Sequence, residues 1–555
     1  MMRTYDDRMF IDTFEHDFTW LNGFLRNVGR YPEKLAVLDP DTGTFLTYRE
    51  LNLEVNRLAN ALAGDGVGKN DLVLTAIRNC PAFAVTYIAP RKLGAILQPA
   101  NYNLAAGELS LLIDHNEPKV IIYSANTADT VVQALKLCSH KPVRAVLCDN
   151  IEGREIPEGH VSYEEYTANI SDEEPKMQVR PHIYDEVLRL CTSGTTALPK
   201  SVPVNDINEV LSAHDAIMQY QMNMTDRTMN MTPLFHRGGC HCGGTCPSLY
   251  VGASMVMMRV FDAKKTLNWT EEYGITFLIG APSSLEMLSR LQTKKPRNIS
   301  SLKGIVTMGA PFDKLACETY LDTLTPNIYN GYGTTETLCN CYLRPYDLPE
   351  AAGSIGGSCI DDEVRIVRAY PEKKAEPDEL IPRDGETRGE VIIRSPAKGT
   401  YSYYNNKELE QEKFYKGWMY TGDTGTWNEK SHITICGRKD DMMIVSGENI
   451  YPTQIEEALD SNPKVRESIV TGVPDKDKYR GEVVAAYIVR EDESLTIADL
   501  IAFCSTHPML SEYKRPRYYA FIDEVPKTAT GKKMHYKIKQ QAALDMESGI
   551  LRRKD

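Results

Sequence analysis

The chain has 555 residues, of which 42% are hydrophobic and 25% are charged, and its formal net charge is −13. This length exceeds what one hydrophobic core organises, so we predict two or more domains of an ordinary globular protein. The acidic balance argues against a nucleic-acid binder, which needs a basic excess or stripe, but it permits small polyanionic ligands held by a few cations and backbone N–H groups.

Neither export nor a membrane span is predicted. The first stretch, MMRTYDDRMFIDTFEHDF, is acidic and mixed and lacks the apolar run of a signal peptide. The most apolar stretch, DLVLTAIRNCPAFAVTYIAPRKLGAIL, is interrupted by Arg78, Asn79, Arg91 and Lys92, which favours strand, helix and turn inside a domain. Thirteen scattered cysteines are more typical of reduced thiols than of a disulfide framework. We therefore expect a cytoplasmic protein.

Short runs rich in valine and isoleucine alternate with helical stretches over most of the chain, which is the α/β pattern. The predicted strands of this part are DLVLTAI, KVIIYSA, RAVLCDN, ASMVMM, TFLIGAP and KGIVTMGA. From about residue 355 the pieces become shorter and β-like, as in EVRIVRA and GEVIIRS. After ITICGRKDD the sequence predicts helices at PTQIEEALDSNP and TIADLIAFCSTHP and a strand at EVVAAYIVRED. We place a domain boundary near residues 438–440.

The stretch CTSGTTALPKSVPV, from Cys191 to Val204, differs at Pro199 from the phosphate cradle G-x-x-x-x-G-K-[ST]. Proline has no N–H and a fixed φ, so a working Walker loop is excluded. Hydroxyl and backbone donors with one ammonium can still hold a pyrophosphate. The candidate groups are Thr192, Ser193, Gly194, Thr195, Thr196 and Lys200. Taken alone, such a cluster of serine, threonine and glycine is more typical of a surface loop.

Cysteines and histidines cluster in TPLFHRGGCHCGGTC. His236, Cys240, His241, Cys242 and Cys246 fall within eleven residues. A zinc site needs four convergent ligands, yet three of these residues are adjacent and glycines surround them. We therefore favour small residues that let a helix approach the acyl pocket, and we extend the same interpretation to Cys339 and Cys341.

Four further polar motifs occur later in the chain. In NIYNGYGTTET, Tyr332 offers a flat face for a base and Glu336 offers a hard oxygen for Mg²⁺. In YTGDTG, Asp423 occupies a tight turn, where its carboxylate could accept hydrogen bonds from both ribose hydroxyls. GRKDDMMIVSGENIYP is typical of a polar hinge, and PKTATGKKMHYKIK contains Lys532 after a glycine. Each motif alone is compatible with an ordinary loop.

Together, in this order, the motifs resemble the adenylate-forming superfamily: AMP-forming acyl-CoA synthetases, adenylation domains of peptide synthetases and beetle luciferases. The resemblance extends from about Tyr31 to about Gln540 and includes connecting text such as FLTYRELNLEVNRLANAL and VPKTATGKK. It implies an α/β fold, with a large N-terminal domain of α/β sheets and a small β-rich subdomain, and a small mobile α+β C-terminal domain. The implied domains are residues 1–437, a hinge at 438–441, and residues 442–555.

The resemblance also implies the roles of individual residues. Thr192, Ser193, Gly194, Thr195, Thr196 and Lys200 match the phosphate loop, whose family form T-S-G-T-T-G-x-P-K-G contains the proline. Gly309, Ala310, Pro311, Tyr332, Gly333 and Thr335 match the adenine-binding segments, Asp423 and Arg438 the ribose contacts, and Gly447 the pantetheine face. Glu336 matches the Mg²⁺ ligand, His236 the group beside the substrate carboxylate, Lys532 the catalytic lysine and Asp440 the hinge residue.

Two residues depart from the family's phosphate loop. Ala197 and Ser201 stand where the family usually has glycine. Side chains restrict positive φ values, so we expect this loop to be stiffer or differently shaped.

The implied activity is the ligation of a carboxylic acid to coenzyme A, with ATP and Mg²⁺, through an acyl-adenylate. Because small residues surround the expected acyl pocket, we favour a medium-sized, aromatic or alicyclic acid, with net direction toward the thioester or toward ATP left open. A homodimer is possible. The alternatives are an adenylation domain that loads a carrier protein, a luciferase, and a non-catalytic acyl-nucleotide binder. No carrier sequence follows the last motif, and Glu336, Asp423, Arg438 and Lys532 argue against the binder.

Overall fold

The computed structural model divides into two compact units. It describes residues 6–176, 179–192, 200–310, 312, 314–370, 373–441, 443–445, 448–450, 452–474, 482–507, 510, 514–528 and 531–553. The first unit comprises residues 1–352, 358–363 and 394–417, and the second comprises residues 353–357, 364–393 and 418–555. The predicted hinge at 438–441 falls within the second unit, and its role as a hinge stays a prediction.

Helices and strands alternate along the chain. The helices are α1 Arg8–Asp17, α2 Trp20–Arg30, α3 Tyr48–Gly64, α4 Pro81–Ile88, α5 Ala106–Asn116, α6 Ala128–Leu137, α7 Tyr163–Thr167, α8 Asp206–Tyr220, α9 Arg237–His241, α10 Thr245–Val251, α11 Ala263–Tyr273, α12 Pro282–Lys294, α13 Cys317–Thr323, α14 Lys407–Lys413, α15 Pro452–Asp460, α16 Ile497–Thr506 and α17 His535–Ser548. Within the described residues, no helix has both the length and the apolar composition needed to cross a bilayer.

The strands are short. They are β1 Leu35–Asp39, β2 Thr44–Thr47, β3 Leu72–Ala76, β4 Ile96–Pro99, β5 Val120–Ser124, β6 Arg144–Cys148, β7 Val161–Ser162, β8 Glu186–Thr192, β9 Lys200–Asn205, β10 Arg227–Asn230, β11 Ser254–Val256, β12 Phe277–Gly280, β13 Gly304–Met308, β14 Ile328–Thr334, β15 Leu338–Leu343, β16 Gly357–Ser358, β17 Glu363–Val367, β18 Gly389–Arg394, β19 Phe414–Tyr415, β20 Trp418–Trp427, β21 Ile433–Arg438, β22 Met443–Val445, β23 Glu448–Ile450, β24 Val465–Pro474, β25 Glu482–Arg490, β26 Tyr518–Phe521 and β27 Arg552–Arg553. Every predicted strand and helix quoted above is confirmed.

The first unit is built on two largely parallel sheets. One contains β15-β14-β13-β12-β10-β11-β1-β2 and the other β7-β6-β5-β3-β4-β8-β9. Strands β3 and β5 are buried along their whole length, as expected of parallel strands covered by helices on both faces. Their valines and isoleucines form the core with α3, α4 and α5. The α/β prediction is confirmed for this part of the chain.

Local signals in the sequence define where these helices begin. In FLTYREL, Thr47 Oγ1 accepts from the N–H of Glu50, and the Glu50 carboxylate accepts from the N–H of Thr47 at 2.8 Å. This capping box satisfies N–H groups that the first turn of α3 leaves without helical partners. This stretch is part of the sequence that carries the family resemblance, and in the structure Thr47 and Glu50 cap a helix.

The second unit is mainly antiparallel. Strand β20 pairs with β18 on one side and with β21 on the other. A separate sheet contains β24-β25-β26-β27, on which the apolar faces of α15, α16 and α17 are buried. The β-rich pieces predicted after residue 355 and the α+β segment predicted after residue 440 are both present.

Candidate active site

Several predicted site residues follow the carboxyl ends of neighbouring parallel strands in the first unit. His236 follows β10, Gly309 and Ala310 follow β13, and Tyr332 lies near the end of β14. Strands β13 and β14 pair in parallel, with Met308 opposite Gly331, so the two predicted adenine-binding segments are adjacent. Open α/β sheets bind ligands at this edge.

Gly309 has the geometry of a ligand-facing turn. Its φ is +87°, and a Cβ built on it would meet no atom of the described residues within 4 Å. Ala310 is fixed beside it, because its carbonyl accepts from Asn330 Nδ2 at 3.4 Å. A left-handed glycine beside open space lets a flat or anionic group approach the backbone closely.

The predicted phosphate loop joins the two strands of a β-hairpin. β8 and β9 are antiparallel, with Thr192 opposite Lys200 and Cys191 opposite Ser201. Residues 193–199 lie outside the described residues, and with them the predicted roles of Ser193, Gly194, Thr195 and Thr196. Ser201 is in an extended strand with 2% of its surface exposed. Strand β9 requires no positive φ at Ser201, so serine is accommodated there without distortion. The expectation of a stiffer or differently shaped loop concerns residues outside the described part of the chain and stays a prediction.

Glu336 lies in the tight connection between β14 and β15. Thr337 is tied back to Thr334 through their hydroxyls at 3.0 Å, and Thr337 Oγ1 also donates to Asn340 Oδ1 at 2.6 Å. Glu336 itself is only 7% exposed, and its Oε1 accepts from the hydroxyl of Tyr403 at 2.5 Å. Burial first, and then the charge of Glu336, raise the pKa of Tyr403, so this hydroxyl remains a donor.

The glycine at position 333 is required by the hairpin itself. A Cβ on Gly333 would lie 1.5 Å from the carbonyl oxygen of Leu338. Leu338 adopts a left-handed φ of +61°, which is unusual for a leucine. At Gly333 the missing side chain therefore makes room for the backbone of Leu338, not for a ligand.

Arg237, which the sequence did not single out, connects helix α9 to the Glu336 hairpin. Its guanidinium donates to the carbonyl oxygens of Thr335 and, at 2.7 Å, Lys398. Burial lowers the pKa of Arg237, and the charges of Glu209 and Glu336 oppose that shift. His236, the residue before it, is partly buried, and its ring lies 4.2 Å from that of Phe235. Arg237 therefore connects helix α9, which follows His236, to the backbone of the hairpin that contains the predicted metal ligand Glu336.

At the glycines of HRGGCHCGG, other atoms of the chain occupy the space that a side chain would need. A Cβ on Gly239 would lie 2.1 Å from the carbonyl oxygen of Pro233, and one on Gly238 would lie 2.9 Å from Met308 Cγ. Close packing, rather than open space for an acyl group, explains these small residues. The expectation that they leave room for the acid is not supported at these positions.

The cysteine and histidine cluster is engaged in a buried ionic network. His241 Nε2 is 2.5 Å from Glu209 Oε1, Arg91 donates to the other carboxylate oxygen at 2.7 Å, and Tyr87 also contacts it. Cys246 Sγ donates to the backbone carbonyl of Glu209 at 3.3 Å. With an arginine already bound to the carboxylate, the group formed by Glu209, His241 and Cys246 is an ion-pair cluster, consistent with the packing interpretation.

Asp423 and Arg438 lie opposite each other in the second unit. They are register partners on β20 and β21, and Arg438 Nη1 donates to Asp423 Oδ1 at 2.8 Å. Gly422, with a φ of +74°, lets the guanidinium approach, since a Cβ there would lie 3.0 Å from Arg438 Nη2. The two residues predicted to contact the ribose therefore form one ion pair between a carboxylate and a guanidinium.

Lys532 is exposed at the end of a short hairpin in the second unit. Its carbonyl accepts from the N–H of Thr528 at 2.8 Å. The next residue, Lys533, is instead bound by Glu456 at 3.1 Å. Burial would lower the pKa of Lys533, but the charge of Glu456 and its neighbours outweighs burial and raises it. Lys533 of the GKK motif is thus held in an ion pair, whereas Lys532, the predicted catalytic lysine, is exposed.

Four of the remaining predicted site residues lie wholly or partly outside the described residues, and two lie within them. Pro311 and Gly447 are outside them, and the side chains of Thr192 and Asp440 are not described. Lys200 is partly buried at the start of β9, and Thr335 is partly buried in the Glu336 connection.

Two family models match most of the chain. The family model for AMP-binding enzymes matches residues 24–404, and the model for the AMP-binding enzyme C-terminal domain matches residues 454–532. An indoleacetate–CoA ligase of Aromatoleum aromaticum is 30% identical over 93% of this chain and 97% of its own length. The long-chain-fatty-acid–CoA ligase FadD13 of Mycobacterium tuberculosis is 28% identical over 92% of this chain and 96% of its own length.

Solved structures have the same fold. The anthranilate CoA ligase AuaEII in complex with anthranoyl-AMP superposes with a TM-score of 0.80 at 24% identity, covering 95% of this chain and 98% of that one. ATP-bound MatB from Rhodopseudomonas palustris gives a TM-score of 0.80 at 25% identity, with coverage of 95% and 99%.

Proposed function

Because the chain belongs to the family of AMP-binding enzymes, we propose that it ligates a carboxylic acid to coenzyme A through an acyl-adenylate, with release of AMP and pyrophosphate. The observation that carries the proposal is the convergence of His236, Gly309 and Glu336 after the carboxyl ends of strands in one parallel sheet. Relatives similar over more than nine tenths of this chain are named as CoA ligases for indoleacetate, long-chain fatty acids and 4-chlorobenzoate. Two of these three names are of aromatic acids, which supports an aromatic acid as the first candidate, with medium-chain and alicyclic acids as the further candidates.

Each unit, taken by itself, contains groups whose chemistry suits part of a nucleotide or its divalent cation. Gly309 offers open space beside a left-handed turn, and Asp423 offers a carboxylate held by Arg438. Glu336 would hold Mg²⁺, since a carboxylate is the hard oxygen ligand that this ion prefers. When bound, Mg²⁺ would neutralise charge on the phosphate oxygens of ATP.

In the first half-reaction, a carboxylate oxygen of the acid attacks the α-phosphorus of ATP, and the bond to pyrophosphate breaks. The ammonium of Lys532 would stabilise the negative charge that develops around the α-phosphate. Lys200, at the foot of the phosphate hairpin, would bind the departing pyrophosphate. His236 would lie beside the substrate carboxylate and orient it. The product is an acyl-AMP, whose leaving group is far better than oxide.

In the second half-reaction, the thiol of coenzyme A attacks the acyl carbonyl carbon, AMP leaves with the bonding electrons, and the thiol proton passes to the departing phosphate or to solvent. We propose that a turn about Asp440 withdraws Lys532 and presents the segment around Gly447 to the pantetheine. Lys532 would therefore serve only the first half-reaction.

Lys532→Ala tests this division of labour. We expect acid-dependent ATP–pyrophosphate exchange to fall by about 10²- to 10³-fold, while thioester formation from supplied acyl-AMP stays near the wild-type rate. Lys537→Ala, at an exposed lysine at the start of α17, is the matched control and should change neither. Equal loss of both half-reactions in the Lys532 variant would contradict the assignment.

A panel of short, medium-chain, aromatic and alicyclic acids identifies the substrate class through CoA-dependent release of AMP. Exchange with some acid but no thioester with free coenzyme A would replace the ligase proposal by a carrier-loading domain. Nucleotide binding without exchange for any acid would replace it by a non-catalytic binder.

A further inference from the structure

The segment from Thr400 to Tyr404 contacts Glu336 at two points. The N–H of Thr400 donates to the backbone carbonyl of Glu336 at 3.1 Å. The hydroxyl of Tyr403 donates to Glu336 Oε1 at 2.5 Å. One contact fixes the backbone of the glutamate, and the other fixes one oxygen of its carboxylate.

Tyr403 is itself held rigidly. It is 2% exposed and packs with Val202 and Leu409, and its ring lies 5.7 Å from that of Phe414. An aromatic side chain fixed in an apolar cluster delivers its hydroxyl to a defined point, because it has lost its rotamer freedom before the hydrogen bond forms.

The same segment also contacts the phosphate hairpin. The N–H of Tyr404 donates to the carbonyl of Ser201 at 2.9 Å, one residue after Lys200 on β9. The ring of Tyr404 is in turn stacked by the guanidinium of Arg189 on β8, 3.6 Å from its centre. Consecutive residues thus bind the two elements that the proposed function assigns to the cation and to the phosphates.

From this geometry we propose that Tyr403 is a positioning residue that orients the Glu336 carboxylate for a divalent cation. The proposal rests on the proposed function in taking Glu336 as the ligand of that cation. A free glutamate side chain loses rotamer entropy when it is ordered, and the tyrosine hydrogen bond orders it in advance. Partners that orient metal ligands typically change metal affinity by about 10- to 100-fold.

A purely structural role makes a different prediction. If Tyr403 served only to fill the apolar cluster, phenylalanine would replace it without consequence, because the ring contacts with Val202 and Leu409 would remain. Tyr403→Phe therefore separates orientation from packing. Tyr401→Phe is the matched control: its hydroxyl accepts from the N–H of Ser395 at 2.8 Å and its ring lies 5.5 Å from that of Phe414.

The first measurement is binding of Mn²⁺ by electron paramagnetic resonance on the full chain with saturating ATP and no acid, which does not depend on turnover. We expect Tyr403→Phe to weaken Mn²⁺ binding by about 10-fold or more, and Tyr401→Phe to bind as the wild type does. Glu336→Gln should lose the ATP-dependent site. Wild-type affinity in the Tyr403 variant, or an equal loss in the Tyr401 variant, would overturn the proposal.

The second measurement is the Mg²⁺ dependence of ATP–pyrophosphate exchange. Tyr403→Phe should raise the Mg²⁺ concentration for half-maximal exchange, and saturating Mg²⁺ should restore most of the rate. A lower rate with unchanged Mg²⁺ dependence would refute a positioning role. If the wild type shows no exchange with any acid, the proposed function fails, and the Mn²⁺ comparison still decides the role of Tyr403.

Discussion

Replacing Lys398 by methionine should be among the most destabilising single changes in the first unit. The Lys398 ammonium is 1% exposed and lies 2.9 Å from an Asp215 oxygen and 2.8 Å from an Asp362 oxygen. It also donates to the carbonyl of Cys339 at 2.7 Å. Burial alone would lower the pKa of Lys398, but Cys359 and the two aspartates outweigh burial and raise it. The site is built for a charged lysine.

The magnitude follows from what the substitution leaves behind. Methionine keeps most of the apolar volume, so the loss is electrostatic. Asp215 and Asp362 are 7% and 0% exposed, and without the ammonium their carboxylates remain buried without their cation. Removing one partner of a buried ion pair typically costs about 3–5 kcal/mol, a large part of the 5–15 kcal/mol by which domains are stable.

The deficit should also depend on pH. Burial already raises the pKa of Asp215, and Lys398 opposes that shift. Without the ammonium, the pKa of Asp215 in the folded variant should therefore lie further above the unfolded value of about 3.9. A raised carboxyl pKa destabilises the folded state increasingly as pH rises above the unfolded value. We therefore expect a larger deficit at pH 8 than at pH 5.

Hydrogen–deuterium exchange of peptides from α8 and β15 measures this deficit locally, which suits a chain of two units in which one global free energy is not defined. Lys265→Met is the control: its partner Asp41 is 2.6 Å away, but the lysine is 48% exposed, so the loss should stay below about 1 kcal/mol. Lys398→Met and Asp362→Asn combined should recover part of the protection. A loss in Lys398→Met no larger than in the control would refute the reasoning.

Two further changes test packing and pH dependence. Gly239→Ala should lower the thermal midpoint, because its Cβ would lie 2.1 Å from a backbone carbonyl oxygen, and we expect a cost of about 1–3 kcal/mol. Gly238→Ala is the control and should cost less, because the flexible side chain of Met308 can move. Equal losses of stability in the two variants would contradict the packing argument. The pKa of His535 is raised because its contacts with Glu456 outweigh burial, so its stabilisation is full below the unfolded pKa of about 6.5 and is lost as pH rises through the folded value. Urea unfolding should therefore show a wild-type advantage over His535→Gln at pH 6 that shrinks by pH 9, and an advantage independent of pH would contradict it.

Predictions from the sequence succeeded where the signal was local. Runs such as DLVLTAI and KVIIYSA became β3 and β5, because a short apolar run bounded by turn residues needs no distant information to form a buried strand. The same holds for the segments after β13 and β14, whose adjacency follows from parallel pairing of consecutive strands. The confirmed strands and helices are those whose signal lies in residues that are neighbours in sequence.

The residues that the sequence did not indicate act over long separations. Tyr403 reaches Glu336 across 67 positions, and Lys398 reaches Asp215 across 183. Nothing in YSYYNNKE distinguishes the hydroxyl that binds the glutamate from the two other tyrosines. The predictions made from glycines were limited for a related reason. A missing Cβ indicates that something approaches the backbone closely, but only the fold shows whether a ligand or another part of the chain does so.

Ser201 shows how the two kinds of information combine. Glycine at the equivalent family position suggested a need for positive φ, yet Ser201 is extended and pairs with Cys191 in the β8–β9 ladder. Its carbonyl accepts from the N–H of Tyr404, a contact that any residue in a strand can make. Since glycine in a strand costs about 0.5–1 kcal/mol of conformational entropy, serine makes the foot of the phosphate hairpin firmer.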